Sequence, residues 1–190
     1  MEQQDGAETP GVRMPRPVDR LARFPGPVAI VHGEGLPGPV AFLDGDAVND
    51  EPWAIEATYQ KSGRPCLVIR TVRSSRDMNP RGLPVEDATI QMVNFLSRVG
   101  RPLEQELTAP SRASSRKVFD QVRVAVDGAT VHDVEVAIDG ERVRGTRTDA
   151  LDAAVVELAW HGQAVFVTGW PDAMQILALR TATPPDVAHL

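Results

Sequence analysis

The sequence predicts an α+β fold, in which antiparallel hairpins form a meander sheet packed by one main amphipathic helix over 84–99 and a short C-terminal helix. Three observations predict it. In several segments of the chain apolar and polar residues alternate, which is the period of a half-buried strand. Turn-forming residues, above all Asp139-Gly140, separate these segments. The stretch PVEDATIQMVNFLSRV instead repeats its apolar residues every three to four positions, the period of a helix lying on a sheet.

Eight of the 16 prolines and 7 of the 15 glycines precede residue 53. Proline removes a backbone donor and glycine raises chain entropy, so residues 1–26 are expected to be a disordered tail. Val28–Val31 and Val40–Leu43 read as short edge strands, with GEGLPGP as the turn between them. In the segment from Trp53 to Tyr59, Trp53, Ile55, Ala57 and Tyr59 fall on one face, and Glu56 and Thr58 on the other. Cys66–Arg73 is its hairpin partner across a loop of about five residues.

In the helix, Val85, Ala88, Met92, Phe95, Leu96 and Val99 form one stripe. Pro84 suits its first position, Glu86 and Asp87 its positive end, Arg98 its negative end, and Gly100 its stop. Residues 101–117, polar and proline-containing, read as a linker or surface loop.

The second half reads as a β-meander. Phe119–Val126 alternates through Val122, Val124 and Val126, and Val131–Ile138 through Val134, Val136 and Ile138. Asp139-Gly140 is a strong hairpin signal, because both central turn residues need positive φ. Asp133 and Glu135 are then expected between Arg123 on one neighbour and Arg142 and Arg144 on the other, as cross-strand ion pairs. Ala153–Trp160 and Ala164–Thr168 form a last hairpin, joined by His161-Gly162-Gln163. A short helix opens at Gly169-Trp170-Pro171-Asp172, and Ile176–Arg180 reads either as its continuation or as a closing strand. The domain plan is a tail over 1–26, one α+β domain over 27–182 and a tail over 183–190. The domain comprises a hairpin-plus-helix half over 27–100, the 101–117 linker and a meander half over 118–182.

Composition narrows the function. Hydrophobic residues make up 42% of the 190, enough for a core, and aromatics only 5%, so that core is aliphatic. A net charge of -6 argues against broad nucleic-acid or anionic-membrane binding. One cysteine excludes an intrachain disulfide framework and a cysteine zinc cage. The acidic N-terminus lacks a secretory pattern, and no apolar run is long enough to span a bilayer, so a cytoplasmic location with no membrane contact is expected. Only Lys61 and Lys117 stand among 20 basic residues; this arginine bias is that of a GC-rich bacterial genome.

Few side chains suggest chemistry. No phosphate-cradling loop, dinucleotide fingerprint or nucleophile elbow occurs. Cys66 begins an apolar strand and reads as a small buried hydrophobe. The His132-Asp133 dipeptide of metal phosphohydrolases falls here in a strand, where the two side chains point to opposite faces. The acidic run Asp44, Asp46, Asp50 and Glu51 fails the calcium-loop spacing. No metal and no cofactor are therefore expected.

Two constellations remain. Trp160, His161, Trp170 and Asp172 are candidates to line one end of the sheet as a ligand or partner site. Arg70, Arg73 and Arg76 are candidates to catch an anion. The expected function is a non-enzymatic interaction or regulatory module that binds another protein, with homodimerisation through exposed strand edges. The alternatives are a small enzyme or ligand binder using 160–172, and anion or nucleic-acid binding through the arginines.

Overall fold

A computed structural model describes residues 16–33, 38–44, 47–48, 51–73, 87–99, 112–175 and 178–190. In chain order the elements are α1 (Pro17–Arg23), β1 (Ala29–Val31), β2 (Ala41–Asp44), β3 (Ala47–Val48), β4 (Glu51–Pro52), β5 (Ala54–Lys61), β6 (Arg64–Arg73), α2 (Ala88–Val99), α3 (Arg112–Asp127), β7 (Val131–Ile138), β8 (Glu141–Ala150), β9 (Ala153–Trp160), β10 (Gln163–Gly169), a 3-10 turn at Pro171–Met174, β11 (Ala178–Thr181) and α4 (Pro184–Val187). The fold is mixed α+β.

Among the described residues nine strands form one sheet in the order β1-β11-β7-β8-β9-β10-β6-β5-β2, and β3 pairs with β4 separately. All pairs in the large sheet are antiparallel except β11 with β7. This is not the simple meander expected. The meander β7–β10 joins the earlier hairpin through β10 and β6, and β11 enters parallel to β7.

Four two-residue turns set the register of the hairpins. Ser62-Gly63, Asp139-Gly140, Leu151-Asp152 and His161-Gly162 all hold positive φ at both positions. Such turns match the right-handed twist of the strands they join. The β5–β6 loop is accordingly two residues rather than about five, with a bulge at Tyr59/Gln60.

One sequence expectation is overturned outright. Phe119–Val126 is not a strand but the C-terminal half of α3. Phe119, Val122 and Val126 also lie at helical spacing; Val122 is buried, whereas Val124 is 71% exposed. The run of alternate valines mimics a strand because β-branched residues favour strands, but tertiary context overrides that preference. Part of the 101–117 linker is likewise helical from Arg112. Within the segments expected to be tails, Pro17–Arg23 is helical with Phe24 buried behind it, and α4 buries Val187. Ile176 and residues 84–86, 101–111 and 1–15 lie outside the described residues.

The sheet has two buried faces. Ile55, Ala57, Tyr59, Leu67, Ile69, Val156, Leu158, Val165 and Val167 share the inner core. Ala54, Val68, Val72, Val155 and Phe166 share the outer one with Met92 and Phe95 of α2 and Val122 of α3. Asp87 caps α2, its carboxylate accepting the Ile90 N–H at 2.9 Å.

The sequence presents Glu56 and Thr58 on a solvent face, yet each is 2% exposed. The Glu56 carboxylate is gripped by two guanidinium groups. Arg70, its cross-strand neighbour, reaches Oε2 at 3.5 Å, and Arg98 of α2 donates to Oε1. A buried carboxylate is tolerated only with such partners.

Glu56→Gln removes the charge and leaves both arginines over an apolar face. Breaking a buried ion pair from one side costs about 3–5 kcal/mol. Urea unfolding followed by tryptophan fluorescence is expected to show a loss of at least about 2 kcal/mol. A change within about 0.5 kcal/mol, the range of ordinary surface substitutions, contradicts this role.

Candidate functional site

Trp160 ends β9, and Trp170 follows the end of β10. The register pairs Gln163 with Trp160 and Gly169 with Ala154, so the two tryptophans stand at opposite ends of one hairpin. Six strand residues separate them, roughly 20 Å. Trp160 is 4% exposed in the inner core, and its indole meets the His161 ring edge-on at 5.0 Å. Trp170 instead packs edge-on against Phe95 of α2 at 5.1 Å. His161 and Asp172 are exposed, one at the hairpin tip and the other in the 3-10 turn. The four residues do not converge. His161-Gly162 is itself a positive-φ turn dipeptide, a signal legible in the sequence that places the tip between the tryptophans.

The arginines do not converge either. Arg70 is occupied by Glu56 on the outer face, and Arg73, three positions on, points to the inner side by strand alternation. Arg76 lies outside the described residues, as do the side chains of the 44–51 acidic run. Cys66 is buried, and burial pushes its thiol pKa up, which is the behaviour of a packing residue.

Two other features stand out. The first is a seam where the sheet rolls nearly closed. Ile30 pairs with Arg180 of β11, and the flanking bonds run from His32 N–H to the Ala178 carbonyl and from Ala182 N–H to the Val28 carbonyl. The N–H groups of Ala29 and Val31 therefore point away from β11. They donate to the Thr71 hydroxyl at 3.1 Å and the Tyr59 hydroxyl at 2.9 Å, side chains of β6 and β5.

Beside this seam lies a cleft of about 340 Å³ between β1, the end of β5, β11 and α4. Arg180 and Asp186 form a two-pronged ion pair at its wall, at 2.5 and 2.7 Å. The arginine and the Thr183 cap hold the Asp186 carboxyl far below the usual carboxylate range. His189 closes the rim, its Nε2 lying 3.2 Å from the Pro39 carbonyl. Tyr59, 2% exposed, lines the floor. Burial pushes its phenol up to about 12. The sequence reading missed all four residues, because β1, β5, β11 and α4 meet only through tertiary contacts.

The second feature is the β7 edge. β11 pairs with β7 only at Ala137 and Ile138, so residues 131–136 have β8 as their one strand neighbour among the described residues. The tight Asp139-Gly140 turn makes Ile138 and Glu141 a hydrogen-bonded pair, so the even residues of β7 bond to β8. The N–H groups of Val131, Asp133 and Glu135 then face outward. Val131 is 58% exposed. Glu135 meets Arg144 at 3.2 Å and Arg142 at 4.0 Å on the β8 side, as the sequence predicts. Arg123, expected on the other side, lies on α3 instead.

Comparison with known proteins finds no family model, curated protein or solved structure that matches this chain.

Tyr59 is the only tyrosine, so absorbance at 295 nm reports it alone. A phenol raised from 10 to about 12 in the folded state contributes stability that is complete below pH 10. That contribution, roughly 3 kcal/mol, is lost as pH rises from 10 through 12. Tyrosinate absorbance is expected to appear near pH 12, or together with alkaline unfolding if that comes first, against about 10 in concentrated urea. A folded protein titrating near 10 contradicts the buried, hydrogen-bonded phenol.

Proposed function

We propose that this protein is a non-enzymatic interaction module that adds an extended segment of another protein to the open edge of β7. The observation that carries this reading is the run 131–136, which has no second strand neighbour among the described residues and turns the N–H groups of Val131, Asp133 and Glu135 outward. Such an edge is a template for strand addition, in which main-chain bonds give affinity and alternate side chains give specificity.

The chemistry of the edge defines the partner. One face of β7 presents Val131, Asp133 and Glu135, and the other presents His132, Val134 and Val136. A matching strand places basic residues opposite the two acids and apolar residues opposite the valines.

Self-pairing is disfavoured in the two registers that give the longest ladder within 131–136. A two-fold axis perpendicular to the sheet pairs only residues of equal parity. Centred on Asp133 it sets Asp133 against its own copy, and centred on Val134 it sets Asp133 against Glu135. Like charges directly opposite destabilise a strand pair. The expected partner is therefore a different chain.

Neither of the other readings gains comparable support. The 160–172 residues are divided between the two ends of a hairpin, and Arg70 and Arg73 lie on opposite faces of β6.

A substitution at the edge tests the proposal without disturbing the core. Asp133→Pro deletes one outward N–H and leaves the β8 ladder intact, as edge prolines do. A fluorescein-labelled Thr-Lys-Val-Lys-Val-Lys-Gly peptide is expected to bind wild type by fluorescence polarisation and to bind Asp133→Pro at least tenfold more weakly, with little change in Tm. The same peptide with Glu in place of Lys is expected not to bind. Equal affinity of both peptides, no binding of the basic one, or unchanged binding by Asp133→Pro rejects the proposal.

A further inference from the structure

The seam cleft is independent of the β7 edge and has the makings of a second site. Its two charged groups, Arg180 and Asp186, neutralise one another directly. Asp139, on the β7–β8 turn, also acts on Arg180 and is itself engaged by the Thr181 N–H at 3.0 Å and the Thr181 hydroxyl at 2.6 Å. No surplus positive charge is left for an anion, and the Asp186 oxygens are taken up by Arg180 and Thr183.

What remains is a set of neutral hydrogen-bonding groups. The Tyr59 hydroxyl accepts the Val31 N–H, and its own proton has no acceptor among the described residues. With its high pKa the phenol keeps that proton throughout the neutral range. A carbonyl only accepts, so the His189 contact to Pro39 puts the ring proton on Nε2 and leaves Nδ1 of the neutral imidazole as an acceptor. Arg180 directs its Nη1 to Thr181 O and Asp186, and its Nη2 to Asp186. A guanidinium carries five N–H groups, so donors remain for a further contact. Ile30 and Pro185 add apolar wall. The surface that lines the cleft is more polar than apolar, which suits a hydroxyl-rich ligand better than a greasy one, and its volume lies at the small end of the range for small-ligand sites.

We propose that this cleft binds a small neutral polyol or sugar, with Tyr59 as donor, His189 Nδ1 as acceptor and Arg180 as a second donor. Hydroxyl groups both give and take hydrogen bonds, so a polyol satisfies this mixed set without bringing a charge next to the Arg180–Asp186 pair. An inorganic anion or a carboxylate meets Asp186 and, among the described residues that line the cleft, finds no cation without a carboxylate partner.

The test is a titration of the ¹⁵N-labelled full chain with glycerol, glucose and myo-inositol, with acetate and phosphate as charged comparators. At least one polyol is expected to shift the Val31 amide, which reports the Tyr59 hydroxyl directly, together with the His189 ring. His189→Ala, at the rim, is expected to weaken that binding at least fivefold while leaving the rest of the spectrum in place. Tyr59→Phe is expected to abolish it. Three results overturn the proposal: no shift with any polyol, larger shifts at these residues with acetate or phosphate, or polyol shifts that persist in a folded His189→Ala variant.

Discussion

Two hydrogen bonds at the seam hold the sheet in its rolled form. A three-residue strand such as β1 has few backbone groups to offer, and one of its sides is spent on β11. Its outward N–H groups would be costly to bury without acceptors. The hydroxyls of Thr71 and Tyr59 supply them across the inner core, where backbone pairing does not reach. Closure by side chains rather than by a strand ladder leaves the inner core sealed but leaves a cleft beside the join. Tyr59 thus contributes, with Thr71, to the enclosure of the core and by itself supplies the polar floor of the cleft.

A second constraint acts on the outer face. Glu56 cannot reach water, and its two arginines come from different elements, one from β6 and one from α2. The carboxylate therefore ties the helix to the strand in one orientation, and the apolar contacts of Met92 and Phe95 complete the layer. The arginine proposed from sequence as an anion catcher has its anion inside the protein. Charge neutralises charge elsewhere as well: Arg144 with Glu135, Arg147 with Asp149 at 2.7 Å, and Arg180 with Asp186. The β7 edge differs because Asp133 faces solvent on a strand that, among the described residues, lacks a second neighbour for most of its length.

The parts legible in the sequence were those governed by local physics. The Asp139-Gly140 turn, the pairing of Glu135 with Arg144 and the helical stripe through Met92 and Phe95 follow from spacings within a few residues. The misreadings arose where tertiary packing decides. Glu56 looked like a solvent residue because alternation tells which residues share a face, not whether something covers that face. Val122, Val124 and Val126 fit a strand because three valines match period two, although Val122 and Val126 face the core at helical spacing and Val124 faces solvent. The cleft was invisible, since its residues come from positions 30, 59, 180 and 189, brought together by the parallel entry of β11. The division of Trp160 from Trp170, by contrast, was already implied by the His161-Gly162 turn.

Amide hydrogen exchange at Ala29 and Val31 tests the central claim most directly. On an ordinary edge strand, N–H groups facing away from the sheet exchange by local fraying. If hydroxyls of Thr71 and Tyr59 close the seam, both amides are protected to the same degree as those of the β9–β10 hairpin, and Tyr59→Phe releases Val31 selectively. Exchange of Ala29 and Val31 at the rate of a frayed edge in wild type would show that the seam is open, and the account of the fold built on it would fail.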